Sequence, residues 1–152
     1  VTRGGIAAVR AYYESLGQEF VDALNDMIVL DAIICNSDRH FGNLGVMVDS
    51  DTNKIVAPAP LFDHGNSLFN FAGRDALESE ESFQEYVDTL LPCVYDDYIA
   101  EAKAVLTNRH KAGLRHLLTF EFKAHSTYNL PAKRLKLIQN QVRKRAALLL
   151  DA

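Results

Sequence analysis

Two short stretches hold the residue types that one kind of chemistry needs. The first reads Asn36-Ser37-Asp38-Arg39-His40-Phe41-Gly42-Asn43 and the second Leu61-Phe62-Asp63-His64-Gly65. Asp38 and Asn43 stand five residues apart, and Asp63 follows twenty further on. A carboxylate, an amide and a second carboxylate in that order suit phosphoryl transfer. One carboxylate orients the attacking hydroxyl and takes its proton, while another carboxylate and an amide oxygen hold the magnesium that bridges nucleotide phosphates. Mg²⁺ is a hard cation that prefers such oxygen donors and keeps some of its waters. Asp38 is therefore the candidate base, and Asn43 and Asp63 are the candidate Mg²⁺ ligands, with ATP as the implied cosubstrate. Each residue alone has an ordinary structural use. Asp38 could cap a helix end, Asn43 could sit in a turn, and Asp63 could precede a turn at Gly65, where glycine allows positive φ. The three become informative only as a set.

The pattern D-R-H-x-x-N followed by D-H-G resembles the catalytic and metal-binding loops of atypical protein-kinase-like enzymes. It is most similar to HipA-type serine/threonine kinases, the bacterial toxin family. The phosphatidylinositol 3- and 4-kinases also carry D-R-H-x-x-N and then D-x-G, so a lipid kinase is a third reading. Ordinary protein kinases show H-R-D-x-x-x-x-N instead; here the histidine follows the aspartate, but the step from Asp38 to Asn43 is kept. The likeness covers residues 36–65 of 152. It implies a kinase-like C-terminal lobe, a Ser/Thr-bearing protein substrate, and an antitoxin as partner. It puts Arg39 and His40 in the catalytic set with Asp38. Arg39 would neutralise phosphate or pair with a carboxylate. His40 would brace the loop by bonding to backbone near Asp63. His64 stands where D-F-G has phenylalanine and is given no chemistry.

A kinase normally covers ATP with a small β-rich lobe that brings a glycine-rich loop and a lysine. The 37 residues before Asp38 read as helix and hold neither. The chain begins at Val1. It is expected to be a fragment, a half whose N-terminal lobe is a separate chain, or a stand-alone relic, with weak nucleotide binding on its own. A non-catalytic, partner-binding module is the alternative.

Composition narrows the field. Apolar residues make up 48% and charged residues 24%, ordinary for a globular domain with a real core, expected here as one domain over 1–152. A net charge of −4 argues against a general nucleic-acid binder. Cys35 and Cys93 are far apart, which fits free thiols in a reducing cytoplasm. No apolar run approaches the ~18 residues that span a bilayer. His110, His116 and His125 show no zinc spacing, and no G-x-S-x-G is present.

The elements that must position these residues read as mainly helical with one small β-hairpin. Residues 1–5 form a flexible lead. Residues 6–16 are a short helix ended by Gly17. Residues 18–36 are the strongest helix, apolar nearly all round from Met27 to Cys35 except at Asp31. Leu44–Val48 and Lys54–Ala57 flank a turn, with Pro58 and Pro60 stopping the second strand; the hairpin would return Asp63 beside Asn43. Residues 66–80 read as loop, in the place of an activation segment. Helices follow over 81–90, from Leu91-Pro92 to about Leu106, from an Asn108 cap to Leu118, and from Pro131 to about Leu150. The last carries Lys133, Arg134, Lys136, Arg143, Lys144 and Arg145, expected to form a solvated basic face.

Overall fold

The computed structural model describes residues 5–151, so the lead expected over 1–5 lies outside it except for Gly5. The architecture is mainly helical with one two-stranded antiparallel sheet, as the pattern predicts. Helix α1 (Gly5–Leu16) already includes Gly5, whose missing side chain leaves room for the Phe41 ring. Gly17 sits at φ +127, a conformation that side-chain-bearing residues rarely adopt. Its N–H closes α1 on the Tyr13 carbonyl at 3.2 Å, and its carbonyl receives Phe20 N–H to open α2 at 3.1 Å.

Helix α2 (Gln18–Ile34) is the spine. Leu24, Met27, Ile28 and Ala32 are essentially sealed from solvent. Such burial contributes ~1.5–3 kcal/mol for each large apolar side chain. α1, α4, α6 and the second hairpin strand all pack against this helix. It ends at Cys35, which takes a left-handed conformation (φ 54) and donates its N–H to the Asp31 carbonyl. Burial keeps the Cys35 thiol protonated well above its ordinary range, and both cysteines are free.

The hairpin pairs β1 (Val46–Val48) with β2 (Ile55–Pro58), with a register irregularity between Met47 and Val48. Asp49 Oδ1 organises the turn by accepting from Asp51 N–H, Thr52 N–H and the Thr52 hydroxyl. The sheet closes with Ala59 N–H on the Gly45 carbonyl at 3.0 Å. Pro58 pairs within β2, as an edge strand allows, rather than ending the strand from outside.

Beyond the hairpin lie α3 (Glu80–Asp88), α4 (Tyr98–Val105), α5 (Asn108–Leu117) and α6 (Ala132–Leu150). The helix expected from Pro92 starts only at Tyr98, where the Asp97 side chain accepts from Ala100 N–H at 2.7 Å. The residues before it are spent on the core, with Val94 and Tyr95 buried. The cap of α5 is Thr107, not Asn108. Its hydroxyl accepts from His110 N–H while His110 Nδ1 accepts from Thr107 N–H, a capping box with histidine in the usual Glu place. Likewise Pro131 precedes α6 instead of filling its first turn. Among the described residues no helix is long and apolar enough to cross a membrane.

Candidate functional site

The site begins where α2 ends. The left-handed turn at Cys35 swings the chain back over its own helix, burying Asn36 beside Asp31. Asn36 Nδ2 donates to Asp31 Oδ1 at 3.2 Å, and its Oδ1 receives the Asp38 N–H at 3.2 Å. The backbone of the candidate base is thus tied to a buried carboxylate through one amide. Asp38 itself is half-buried, and its Oδ2 accepts from Asn66 Nδ2 at 2.9 Å.

Arg39 points inward. It is 1% exposed and forks onto Asp31, with Nε to Oδ2 at 2.8 Å and Nη2 to Oδ1 at 3.0 Å. Its remaining nitrogen, Nη1, donates to the Asn43 carbonyl at 3.0 Å and the Phe62 carbonyl at 2.9 Å. One guanidinium therefore joins the two stretches that the sequence set twenty residues apart. Of the two expectations for Arg39, the structure realises the carboxylate pair; its charge is spent in the interior. An unpaired charge there would be very costly, and the bidentate geometry answers that cost. Around the pair, Tyr95 and Tyr98 are buried, and desolvation holds both hydroxyls neutral far above their ordinary range.

His40 does not bond to backbone near Asp63. Its Nδ1 accepts from Gly42 N–H at 3.0 Å and caps the 3₁₀ turn Phe41–Asn43. The bracing expected of His40 is supplied by Arg39. Asn43 is 6% exposed, and its Nδ2 donates to the Asp38 carbonyl at 3.1 Å. That bond commits the amide nitrogen to the Asp38 backbone. Asp63 is exposed and carries the positive φ itself (57), in place of Gly65. Aspartate tolerates that region better than most residues, and such conformations gather at functional loops. The Asp63 carboxylate thus leaves the chain between Phe62, held by Arg39, and Asn66, held on Asp38. Next to it, His64 Nε2 is buried with no hydrogen-bond partner among the described residues.

Two ties bring the stretches side by side, Arg39 to Phe62 and Asn66 to Asp38, while Asn43 closes the first loop on the Asp38 carbonyl. Among the described residues no group of three or more His, Cys, Asp and Glu side chains could hold a metal ion. Asp31, Asn66 and Tyr13 were not singled out from sequence. Asp31 carried a usable signal as the lone charge in an apolar helical run. Asn66 carried none. Tyr13 donates its hydroxyl to the Gly45 carbonyl at 3.0 Å and pins the exit from Asn43 to α1. No family model, curated protein or solved structure matches the chain.

Proposed function

We propose that the chain is the catalytic lobe of a Mg²⁺-dependent ATP phosphotransferase resembling HipA-type serine/threonine kinases. The observation that carries this reading is the stitching of the Asp38–Asn43 loop to the Asp63 loop by a buried arginine and the Asn66 amide. Asp38 is the base. As the acceptor oxygen bonds to the γ-phosphorus and the bond to the ADP oxygen breaks, the acceptor's proton passes to the Asp38 carboxylate, whose orientation Asn66 fixes. Asn43 and Asp63 fit Mg²⁺ by donor type. The Asn43 amide nitrogen is committed to the protein, which leaves its oxygen, and the Asp63 carboxylate is exposed. When bound there the ion offsets phosphate charge. Arg39 and His40 act through the backbone, as positioning residues.

A nucleotide-covering lobe, in the same chain or a separate one, completes the enzyme. Support comes from the hairpin, which leaves Met47, Val48, Ile55 and Val56 exposed, followed by Leu61 and Phe62 next to Asp63. Contiguous exposed apolar side chains mark surfaces that another body covers. A cytoplasmic setting agrees with the two free thiols, and the toxin role with its antitoxin partner belongs to the same resemblance.

The test joins the chain to such a lobe and measures Mg²⁺-dependent transfer from ATP to a serine-containing protein. Asp38→Asn should lower turnover by ~10²–10⁴-fold, the usual worth of a positioned base. Asp63→Ala should abolish it. Undiminished turnover in either variant overturns the assignment.

A further inference from the structure

The loop that reaches Asp38 through Asn66 has a second side. Gly65 and Ser67, the two neighbours of Asn66, both line an open groove of about 700 Å³. Its walls are the apolar side chains of Leu77, Phe122, Leu130, Leu135 and Ile138, and among the described residues its charged lining is Lys133 and Arg134. No carboxylate lines it, although the chain as a whole carries a net charge of −4. Arg134 is locked in place by donating to the carbonyls of Phe69, Asn70 and Ala72, which fixes one wall against the loop. All three acceptors are neutral carbonyls, and among the described residues no acid forms an ion pair with Arg134. Lys133 is exposed and donates to the Glu78 carbonyl.

Ser67 supplies an independent observation. It is 6% exposed, and its Oγ is buried without a hydrogen-bond partner among the described residues. A buried hydroxyl without a partner is unfavourable, and the backbone of a bound peptide would relieve it. Gly65 adds space, because a β-carbon there would meet nothing within 4 Å.

We propose that this groove holds the segment of the acceptor protein that carries the serine or threonine, and that it selects segments with apolar and acidic residues around that hydroxyl. The proposal rests on the phosphotransferase reading for the chemistry, but the binding it describes needs no nucleotide. Apolar walls take the apolar residues, Lys133 and Arg134 take the acidic ones, and Ser67 takes a backbone group. Neighbouring residues along a chain are only ~3.8 Å apart. A peptide against Gly65 and Ser67 would rest on the two sequence neighbours of the asparagine that holds Asp38.

The test uses the full chain and two fluorescein-labelled peptides. Each has a central serine flanked by leucines; one adds glutamates and the other adds lysines. Fluorescence anisotropy should show saturable binding of the glutamate peptide and at least ~10-fold weaker binding of the lysine peptide, since like charges facing each other across an interface are strongly unfavourable. Lys133→Glu, at an exposed position, should narrow or reverse that order. Gly65→Leu, which fills open space, should weaken both peptides, and circular dichroism would confirm that both variants fold. Failure of the glutamate peptide to saturate, or a preference untouched by Lys133→Glu, overturns the groove assignment. A concentration-dependent dimer that the peptide competes away would also overturn it, by making a second copy the occupant. The two readings part cleanly. If peptides bind as expected but transfer survives Asp38→Asn, the phosphotransferase reading fails and the groove stands. If transfer is lost and no peptide binds, the groove alone fails.

Discussion

Arg39 is the residue through which the two halves of the site communicate. Its guanidinium satisfies a buried carboxylate and two carbonyls from separate loops. Removing it leaves Asp31 charged, buried and short of its partner, which typically costs ~3–5 kcal/mol. Arg39→Ala should therefore lower the urea midpoint sharply. Arg39→Lys should rescue little, because an ammonium cannot fork across Asp31 and reach both carbonyls. A double Asp31→Leu, Arg39→Met variant should be more stable than either single variant, since it removes the stranded charge. Wild-type stability in Arg39→Ala would contradict the role. At this scale the sequence was partly legible. Asp38, Asn43 and Asp63 stood out by type and spacing, and the hairpin does bring their stretches together. The division of labour between Arg39 and His40 was not legible. They follow Asp38 in succession, and the direction of the chain after the left-handed Cys35 decides which side chain turns inward.

Helices were legible where apolar periodicity was strong, as along α2, and less so where start signals competed. Pro92 and Asp97 both announce a helix, and Asp97 prevails because Val94 and Tyr95 are needed in the core. The basic residues of α6 read as a solvated face, yet several turn back onto the protein. Arg145 is 8% exposed and donates to the Ala32 carbonyl of α2, and Arg143 donates to the Phe120 carbonyl. Composition cannot show such long-range use. The α2–α5 contact carries a pH dependence of its own. Burial pushes the Asp26 carboxyl up, but bonds from Arg109 and His110 outweigh it and hold the group below its ordinary 3.8. A carboxylate with a depressed folded-state pKa stabilises above its unfolded value and loses that contribution as pH falls through the folded value. Thermal unfolding of the wild type should therefore weaken on acidification below about pH 4. Asp26→Asn should be less stable than wild type at neutral pH and should shed that part of the slope. An unchanged acid limb in the variant would contradict the pairing.

The hairpin presents an exposed apolar edge that continues through Leu61 and Phe62 to Asp63. Val48 and Val56 are 51% and 54% exposed, so changing them should leave the chain's own stability within about 0.5 kcal/mol. Val48→Lys with Val56→Lys should nevertheless depress transfer once a covering lobe is supplied, by weakening its seat. A hairpin variant with full activity would remove the reason for placing the lobe there. On the proposed reading, the Asn43 and Asp63 oxygens serve a single divalent ion next to Asp38. The most direct measurement titrates the isotope-labelled chain with Mn²⁺ and ATP, using the paramagnetic ion as a probe for Mg²⁺, and follows line broadening by nuclear magnetic resonance. Broadening should begin at the Asn43 side-chain amide and at the backbone of residues 38–43 and 62–66, and Asp63→Ala should remove it. Broadening that begins instead at the acidic start of α3, around Glu80 and Glu81, and persists in Asp63→Ala would contradict the account.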